Sequence, residues 1–423
     1  MSGGVMLPLG EICRNASRRF APPEDGKVWF INTGDVEGGR FTHNDLSDWE
    51  GLPGQAKKAV VEGDILYSEI RPGNGRYAFV DQQYPNAVVS TKFMVIEASE
   101  SILPKYLYHV ITSPELQNKM KLIAESRSGT FPQITFDSIA HLELMVPSKP
   151  EQLAVSSLLD AIEGRIRNNQ KMNQTLEEIA KAIFKSWFVD FDPVRAKAEG
   201  RPTGLPPEIS DLFPDELVDS EIGEIPKGWD VGALSDVADI TMGQSPPGDT
   251  YNDDGVGLPF YQGSTDFGFR FPSLRKYCSE PKRLADADDV LISVRAPVGD
   301  LNRAKDDCCI GRGLASLRAK NSLQTWVFYR CKFLSQQLET FNSEGTVFGS
   351  INGKDLKGLP TILAPELLCK AFDEIAKPMD DAVRNRTLEI EVLSELRDTL
   401  LPKLISGELR IPDAEKFLEE AGI

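Results

Sequence analysis

The sequence predicts an α+β protein built as an internal repeat. Two tandem α/β globules are each followed by a long helix, and the two helices pack antiparallel as a coiled coil that relates the globules by a pseudo-twofold axis. Three observations lead to this prediction. Two stretches of about 40 residues carry apolar residues at helical spacing, the second follows the first at an offset of 217 residues, and the segments before them repeat one order of strands, turns and helices.

The first long helix is predicted from about Pro150 to Phe188, where no internal proline and only Gly164 weaken the helical pattern. Its apolar positions recur with a period of 3.5, which is typical of a coiled coil. A helix of this length needs a partner helix along it, because isolated surface helices are shorter. The predicted contact positions with the partner are Ile162, Asn169, Met172, Leu176, Ile179 and Ile183.

The partner is predicted in the same chain, from about Glu366 to Ser406. Both stretches are apolar at their ends and polar in the middle. An offset of 217 residues aligns the two patterns position by position. Pro378 lacks a backbone N–H and predicts a kink or a late start, with the seam resuming at Met379. The predicted contact positions of this helix are Met379, Arg386, Leu393, Leu396 and Leu400.

The globules show the same order of elements. Val28–Ile31 and Ile65–Ser68 have the β-branched and aromatic character of strands, and the turn and strand at 288–293 repeat those at 63–68 at an offset of 225. The loop after each of these strands is rich in Arg, Pro and Gly. The predicted segments are a first globule at 1–148, a first helix at 149–190, a connector at 191–230, a second globule at 231–364, and a second helix with a tail at 365–423.

The connector is rich in proline and acid, and its few apolar residues predict ordered coil on a surface. No run approaches the ~20 apolar residues of a membrane span, and the sequence suggests no export signal before Pro8. The six cysteines have no metal-like or disulfide-like spacing, which predicts reduced and mostly buried thiols.

The amino-acid sequence contains no catalytic motif that we recognise. We find neither of the glycine-rich loops that bind dinucleotides or nucleotide phosphates, and no Asn/Asp-Pro-Pro-Tyr/Phe sequence of the adenine methyltransferases. The three histidines, His43, His109 and His141, have no ligand or acid–base partner at a recognisable spacing. The sequence therefore predicts no catalytic residue, no bound cofactor and no metal site in this chain.

The whole chain resembles the specificity subunit of type I restriction–modification enzymes. The resemblance lies in the strand around Gly63–Leu66 and in three phrases, IFKSWFVDFDP at 183–193, GEIPKGW at 223–229 and LLPKLISGEL at 400–409. It implies that each globule is a target recognition domain that reads half of a split double-stranded DNA sequence. It also implies that the helices set the spacing between the half-sites.

The resemblance further implies a cytoplasmic, non-catalytic subunit. Its partners would be two methyltransferase subunits and two restriction subunits, and S-adenosylmethionine, ATP and Mg²⁺ would bind to those partners.

DNA-contacting residues are predicted in equivalent loops of the two globules, because Arg, Gln, Ser and Thr read base edges and Gly and Pro allow close approach. The basic clusters of the globules are predicted to contact DNA as well. The predicted residues are Arg14, Arg18, Arg19, Arg71, Arg76, Ser128, Thr130 and Gln133 in the first globule, and Gln244, Ser245, Arg270, Arg275, Lys276, Arg295, Arg303, Thr346 and Ser350 in the second.

The net charge of −17 argues against a free-standing DNA-binding protein. The acid is concentrated outside the globules: residues 191–230 carry ten acidic and four basic side chains, whereas residues 231–364 carry 16 and 15. Two other functions also fit parts of the sequence. One is a coiled-coil adaptor that never touches DNA, and the other is an acidic DNA mimic, although the near-neutral second globule disfavours a mimic.

Overall fold

The structure is a computed structural model that describes residues 4–127, 131–338 and 349–405, with isolated positions at 408–409, 413–414 and 416. The chain folds into two compact units. The first unit comprises Met1–Arg167 and Glu391–Ile423, and the second comprises Asn168–Ile390.

Two helices of 40 residues stand out among the helical elements. They are the first long helix (Lys149–Phe188) and the second long helix (Glu366–Ile405). The other helices of the described chain are Leu9–Ile12, Pro104–Ile111, Pro114–Arg127, Phe136–Ile139, Asp192–Ala198, Pro207–Ser210, Leu234–Val237, Gln324–Leu338 and Gly353–Lys357.

The strands of the first unit are β1 (Val5–Pro8), β2 (Cys13–Asn15), β3 (Lys27–Ile31), β4 (Val36–Glu37), β5 (Arg40–Phe41), β6 (Ser47–Asp48), β7 (Ala56–Ala59), β8 (Ile65–Ser68), β9 (Tyr77–Phe79), β10 (Ala87–Ser90), β11 (Phe93–Ala98) and β12 (Glu143–Val146). Those of the second unit are β13 (Leu217–Ser220), β14 (Gly223–Pro226), β15 (Asp230–Ala233), β16 (Ala238–Met242), β17 (Tyr251–Asn252), β18 (Leu258–Tyr261), β19 (Tyr277–Cys278), β20 (Leu284–Ala285), β21 (Val290–Ser293), β22 (Leu301–Arg303), β23 (Cys308–Ile310), β24 (Leu314–Ala319) and β25 (Pro360–Leu363).

The two units repeat one sheet topology. The antiparallel sheet β2-β11-β8-β9 of the first unit corresponds to β16-β24-β21-β22 of the second, and each unit closes with an antiparallel pair, β1-β12 or β15-β25. Each also has a mixed sheet whose centre is one parallel pair, β3 with β10 or β18 with β23. This repeated order confirms the predicted duplication and the α+β class.

The second long helix begins at Glu366 and continues without a break through Pro378. The predicted late start is therefore wrong. The Pro378 side chain is exposed, so its ring meets no packed neighbour, and the loss of one helical hydrogen bond is the remaining cost. Each long helix extends for roughly 60 Å at 1.5 Å per residue.

The predicted heptad seam of the first long helix is correct only in its first half. Ile162 and Asn169 are buried, but Met172 and Ile179 are 39% and 42% exposed. The buried positions instead follow an 11-residue repeat, in which Ile162 is followed by Asn173 and Phe184. A straight helix has 3.6 residues per turn, so it drifts by about 20° per heptad away from a 3.5-residue pattern. Leu176 and Ile183 are consequently half-buried at the edge of the contact face.

On the second long helix the buried contact positions are Leu393 and Leu400, while Met379, Arg386 and Leu396 are half-buried. Within the second unit the two helices pack antiparallel. Phe184 meets Phe372 with ring centroids 5.3 Å apart, and earlier on the first helix Asn173 donates to Thr387 at 3.3 Å. The sum of the paired numbers stays nearly constant, as antiparallel packing requires.

The connector is ordered, as predicted, but it is not coil. It forms the helix Asp192–Ala198, the short helix Pro207–Ser210 and the hairpin β13-β14. Val194 and Phe213 are buried in the main core of the second unit beside Trp187. The connector is therefore part of the second unit.

All six cysteines are free and buried, as the sequence predicted. Burial raises the pKa of the Cys331 thiol to about 12, so this side chain is uncharged at neutral pH. No helix in the described ranges is long and apolar enough to cross a membrane.

Candidate nucleic-acid interface

Two predicted loops of the first unit are joined by backbone pairing. Ile70 and Gln133 form an antiparallel bridge, the Arg71 amide donates to the Pro132 carbonyl at 2.9 Å, and the Ile134 amide donates to the Glu69 carbonyl at 2.9 Å. The loop after β8 and the loop before the helix Phe136–Ile139 therefore form one surface. Ser128 and Thr130 lie outside the described residues.

Arg71 occupies a special position on this surface. Its φ of 47° is left-handed, which is unusual for a residue with a side chain, and it precedes the 3-10 turn Pro72–Asn74. The side chain is exposed, and its guanidinium carbon lies 6.0 Å from the ring centroid of Phe131, which is 48% exposed. Arginine, an exposed aromatic ring and Gln133 thus share one surface.

The second unit joins the equivalent loops in the same way. Arg295 and Ser350 form an antiparallel bridge, the Ala296 amide donates to the Gly349 carbonyl at 2.9 Å, and the Ile351 amide donates to the Val294 carbonyl at 3.0 Å. Both Arg295 and Ser350 are exposed. Thr346 lies outside the described residues.

The early loop of the second unit lies against the segment before β24. The Gln244 amide donates to the Ile310 carbonyl at 3.0 Å, and the Ser245 hydroxyl accepts from the Arg312 amide at 3.3 Å. Gly243 permits this approach, because a Cβ there would lie 2.2 Å from the Gly311 carbonyl oxygen. Gln244 is exposed and Ser245 is half-buried.

The early basic cluster of the first unit is largely neutralised. Arg14 pairs with Glu97 at 2.9 Å, and Arg18 pairs with Asp64 at 2.7 Å and with Glu97 at 2.6 Å. The hydrogen bond from Arg14 is the main reason that the pKa of Glu97 lies below its ordinary value. Arg19 is exposed and lines a cleft of about 920 Å³ together with Lys57.

This cleft contains residues that the sequence analysis missed. Trp49, Lys57, Lys58 and Thr91 line it beside Arg19. The adjacent lysines on β7 were a detectable signal, but their meeting with Arg19 depends on the bridge between Arg19 and Lys58. Lys58 also has a structural role, because its ammonium donates to the Phe93 carbonyl at 2.5 Å and burial lowers its pKa.

Two predicted arginines are buried, and a third is half-buried and bound to backbone carbonyls. Arg270 and Arg303 have side chains that are 1% and 5% exposed and are paired with buried carboxylates. Arg76 donates to the carbonyls of Gly34 at 3.3 Å and Val36 at 2.9 Å. The sequence could not reveal these partners, because they come from distant segments of the chain.

Arg275 and Lys276 are exposed but paired. Arg275 binds Asp266, and Lys276 lies 3.1 Å from Asp253. The most open predicted contacts are therefore the loop residues Arg71, Gln133, Gln244, Arg295 and Ser350 together with Arg19, and their contact with DNA stays a prediction.

A cluster of His109, Asp160 and Glu163 lies inside the first unit and was missed in the sequence. His109 Nε2 is 2.9 Å from Asp160 Oδ1, and His109 Nδ1 is 3.7 Å from Glu163 Oε1. These atoms are close enough to hold a metal ion. However, Lys105 lies 3.4 Å from Asp160 and Arg167 lies 3.5 Å from Glu163, so the two carboxylates already have cationic partners.

The geometry shows a duplicated architecture in which each domain presents one surface of bridged loops. A family model described as the type I restriction modification DNA specificity domain matches residues 4–178 and again 226–396. The chain therefore belongs to the type I restriction–modification specificity family and carries two recognition domains.

Named specificity subunits and a solved structure match most of the chain. The type I restriction enzyme HindI specificity subunit of Haemophilus influenzae is 36% identical, covering 97% of this chain and all of that protein. The putative type I restriction enzyme MjaX specificity subunit of Methanocaldococcus jannaschii is 30% identical, covering 84% of this chain and 80% of that protein. The crystal structure of a type I restriction–modification S subunit from M. genitalium covers 96% of both chains, with a TM-score of 0.58 at 15% identity, and so shares the fold.

Proposed function

We propose that this subunit reads a bipartite DNA target, one half-site through each recognition domain, and that the two long helices set the distance between the half-sites. The observation that carries the proposal is the repeated loop bridge. The same backbone pairing joins two loops in each domain, with Ile70 at the bridge in one domain and Arg295 at the equivalent position in the other. Arg71 directly follows Ile70, so both domains present an arginine at or beside the bridge, although at different positions. A common scaffold with different exposed side chains suits two readers of different sequences.

The subunit performs no chemistry in this proposal. Two methyltransferase subunits dock on it and supply S-adenosylmethionine, and two restriction subunits join them and supply the sites for ATP and Mg²⁺. The complex acts on double-stranded DNA in the cytoplasm. Because the chain carries a net charge of −17, much of the attraction to DNA phosphates must come from the methyltransferase subunits, while this subunit contributes base recognition.

The outward face of the first long helix fits this partnership. Met172 and Ile179 are exposed, seven residues apart on one helix face. Apolar side chains at this spacing insert between the side chains of a second helix. We assign this face to a helix of a methyltransferase subunit.

Genome-wide mapping of adenine methylation tests the function. A host that expresses the methyltransferase subunit with this chain should gain one bipartite methylated motif that is absent without the chain. Absence of any motif that depends on the chain, with the complex assembled, would refute the proposal and favour the adaptor function.

A pair of matched variants tests the division of labour. Arg71→Ala should weaken or relax recognition of one half-site, and Arg295→Ala should do the same for the other, because a bidentate arginine contact contributes about 1–3 kcal/mol to base discrimination. Arg201→Ala, at an exposed position of the connector, serves as the control. Equal loss at both half-sites from either loop variant would make these loops structural or general phosphate contacts.

A further inference from the structure

Arg270 is a buried arginine that touches both long helices at once. Its Nη1 donates to Asp380 Oδ1 at 2.6 Å, and its Nη2 donates to Glu177 Oε2 at 2.9 Å. Glu177 belongs to the first long helix and Asp380 to the second. One side chain of the recognition domain therefore connects this domain to both helices, and all three residues lie within the second unit.

Neighbouring residues of the recognition domain also bind the carboxylates of Asp380 and Glu177. Arg303 Nη1 donates to Asp380 Oδ2 at 2.7 Å, and the Tyr329 hydroxyl donates to Asp380 Oδ1 at 3.2 Å. Lys332 pairs with the second oxygen of Glu177. Each carboxylate thus has a second partner from the recognition domain, and both are buried.

An aromatic ring and a backbone hydrogen bond also hold Arg270 in place. The Arg270 guanidinium carbon lies 4.4 Å from the centroid of the buried Phe328 ring. The Arg270 backbone carbonyl accepts a hydrogen bond from the Arg303 amide at 2.8 Å. The Asn302 side chain fixes the loop by donating to the Gly268 carbonyl at 2.9 Å and accepting from the Gly268 amide at 3.2 Å.

The charge on Arg270 survives burial. Burial alone opposes the charged form, but Asp380 and the neighbouring acidic groups outweigh it, so the pKa of the guanidinium lies above its ordinary value. A planar guanidinium accepts two carboxylates only in a narrow range of geometry. If one helix slipped by a turn, its carboxylate would move by about 5.4 Å and the fork would lose one partner.

Buried ion pairs are better suited to fixing a structural register than to adding stability, because desolvation offsets much of their attraction. We propose that Arg270 is a positioning residue that locks the register of the two long helices against the second recognition domain, and thereby sets the spacing between the DNA half-sites. This inference rests on the proposed function of the helices as a spacer.

The test uses the full chain assembled with its methyltransferase subunits. Arg270→Met removes both bonds of the fork while keeping a long apolar side chain over Phe328. Arg201→Met is the matched control, because Arg201 is exposed and pairs with Glu199 at the surface. Methylation mapping then gives the distribution of distances between half-sites for each variant, and thermal unfolding confirms that each variant is folded.

The expected result is a changed spacing with unchanged half-site sequences. Arg270→Met should methylate the same two half-sites at spacings one base pair shorter or longer than the wild-type spacing, at least ten-fold above the wild-type level for those spacings. Arg201→Met should keep the single wild-type spacing. An unaltered spacing distribution, or an equal loss of methylation at every spacing in a folded complex, would overturn the inference.

If Arg270→Met does not fold, Arg270→Lys decides by the same criteria. Lysine keeps the positive charge, but its single ammonium cannot reproduce the planar fork to two carboxylates. Failure of the proposed function has a different signature, since the wild-type chain itself would then produce no bipartite motif.

Discussion

The two recognition domains hold the long helices by different chemistry, although their sheets share one topology. In the second unit, Arg270 and Arg303 bind Asp380 in a site where these side chains are at most 5% exposed. In the first unit the equivalent helix position, 217 residues earlier, is Glu163, and its partner is the buried His109. Duplication therefore preserved the sheets while the contacts to the helices diverged.

We call the contacts between a recognition domain and the long helices the junction of that unit. Because the two junctions use different residues, one can vary without the other. Arginine stays charged at every physiological pH, and its fork demands one geometry. Histidine makes only one contact per ring nitrogen, and Asp160 beside His109 is 34% exposed. We expect the junction of the second unit to be the more rigid and the more sensitive to loss of a partner.

The largest effect is expected from Asp380→Asn. It removes the charge that balances two buried arginines, and breaking a buried pair costs about 3–5 kcal/mol. Denaturant unfolding measures the loss in free energy. Asp381→Asn is the control, because Asp381 is exposed and pairs with Lys377 on the helix surface, where such pairs contribute about 0.3–0.5 kcal/mol. Equal losses for the two variants would remove the distinction between the junctions.

Substitutions of two isoleucines in the first long helix test the apolar contacts independently of the charged ones. Ile162 is fully buried and Ile179 is 42% exposed. Ile162→Ala should cost about 2–4 kcal/mol because it leaves a cavity. Ile179→Ala should cost less than about 0.5 kcal/mol in the isolated chain, as surface substitutions do. Equal costs, measured by denaturant unfolding, would restore the heptad seam and contradict the 11-residue repeat.

The junction of the first unit should respond less to the loss of its central residue than that of the second. His109→Ala removes a hydrogen-bonded ring from a buried site, but Lys105 and Arg167 still balance the two carboxylates. We expect a loss of about 1–3 kcal/mol in the free energy of unfolding. His43→Ala, at a side chain that is 33% exposed, is the control and should change little. A His109→Ala loss larger than that of Asp380→Asn would reverse the comparison.

Acid should weaken the second junction through Glu177. Burial opposes the charged form of Glu177, but Lys332 and Arg270 outweigh it, so its pKa lies below the ordinary value of 4.5. The unfolded chain therefore binds this proton more readily than the folded chain. The stabilisation is complete above about pH 4.5 and is lost as the pH falls through the folded pKa.

Glu177→Gln should consequently flatten the dependence of stability on pH below about 4.5. In the first unit, burial of Asp160 is outweighed by His109 and Lys105, and its pKa lies below 3.8, so Asp160→Asn should act only at lower pH. Unfolding free energies measured from pH 3 to 7 compare the two variants. Parallel curves for wild type and Glu177→Gln would contradict the assignment.

The parts of the fold that depend on local pattern were predictable. Val28–Ile31 and Ile65–Ser68 lie in strands, as their β-branched and aromatic residues predict. Both long helices formed because burial on one helix face leaves a periodic signal in the sequence. The antiparallel order of the helices followed from the duplication. The loops after β8 and β21 carry Arg, Pro and Gly in both repeats, and their contact with DNA stays a prediction.

The parts that depend on distant partners were not predictable. Arg270 reads as a surface cation until Glu177 and Asp380, 93 and 110 residues away, are placed beside it. A heptad pattern predicts Met172 and Ile179 as contact residues between the helices, whereas in the straight helix both residues turn outward. His109 meets Asp160 through packing across 51 residues, which no short motif encodes.

The most direct test of the account is a helix insertion followed by methylation mapping. Four alanines inserted after Asn168 lengthen the first long helix by about 6 Å, and four inserted after Gly204 in the connector serve as the control. We expect the helix insertion to change the half-site spacing, or to abolish recognition of one half-site, without altering the sequence of the remaining one. The control should keep the wild-type motif. Unchanged spacing with full methylation after the helix insertion would show that the long helices do not set the distance between half-sites.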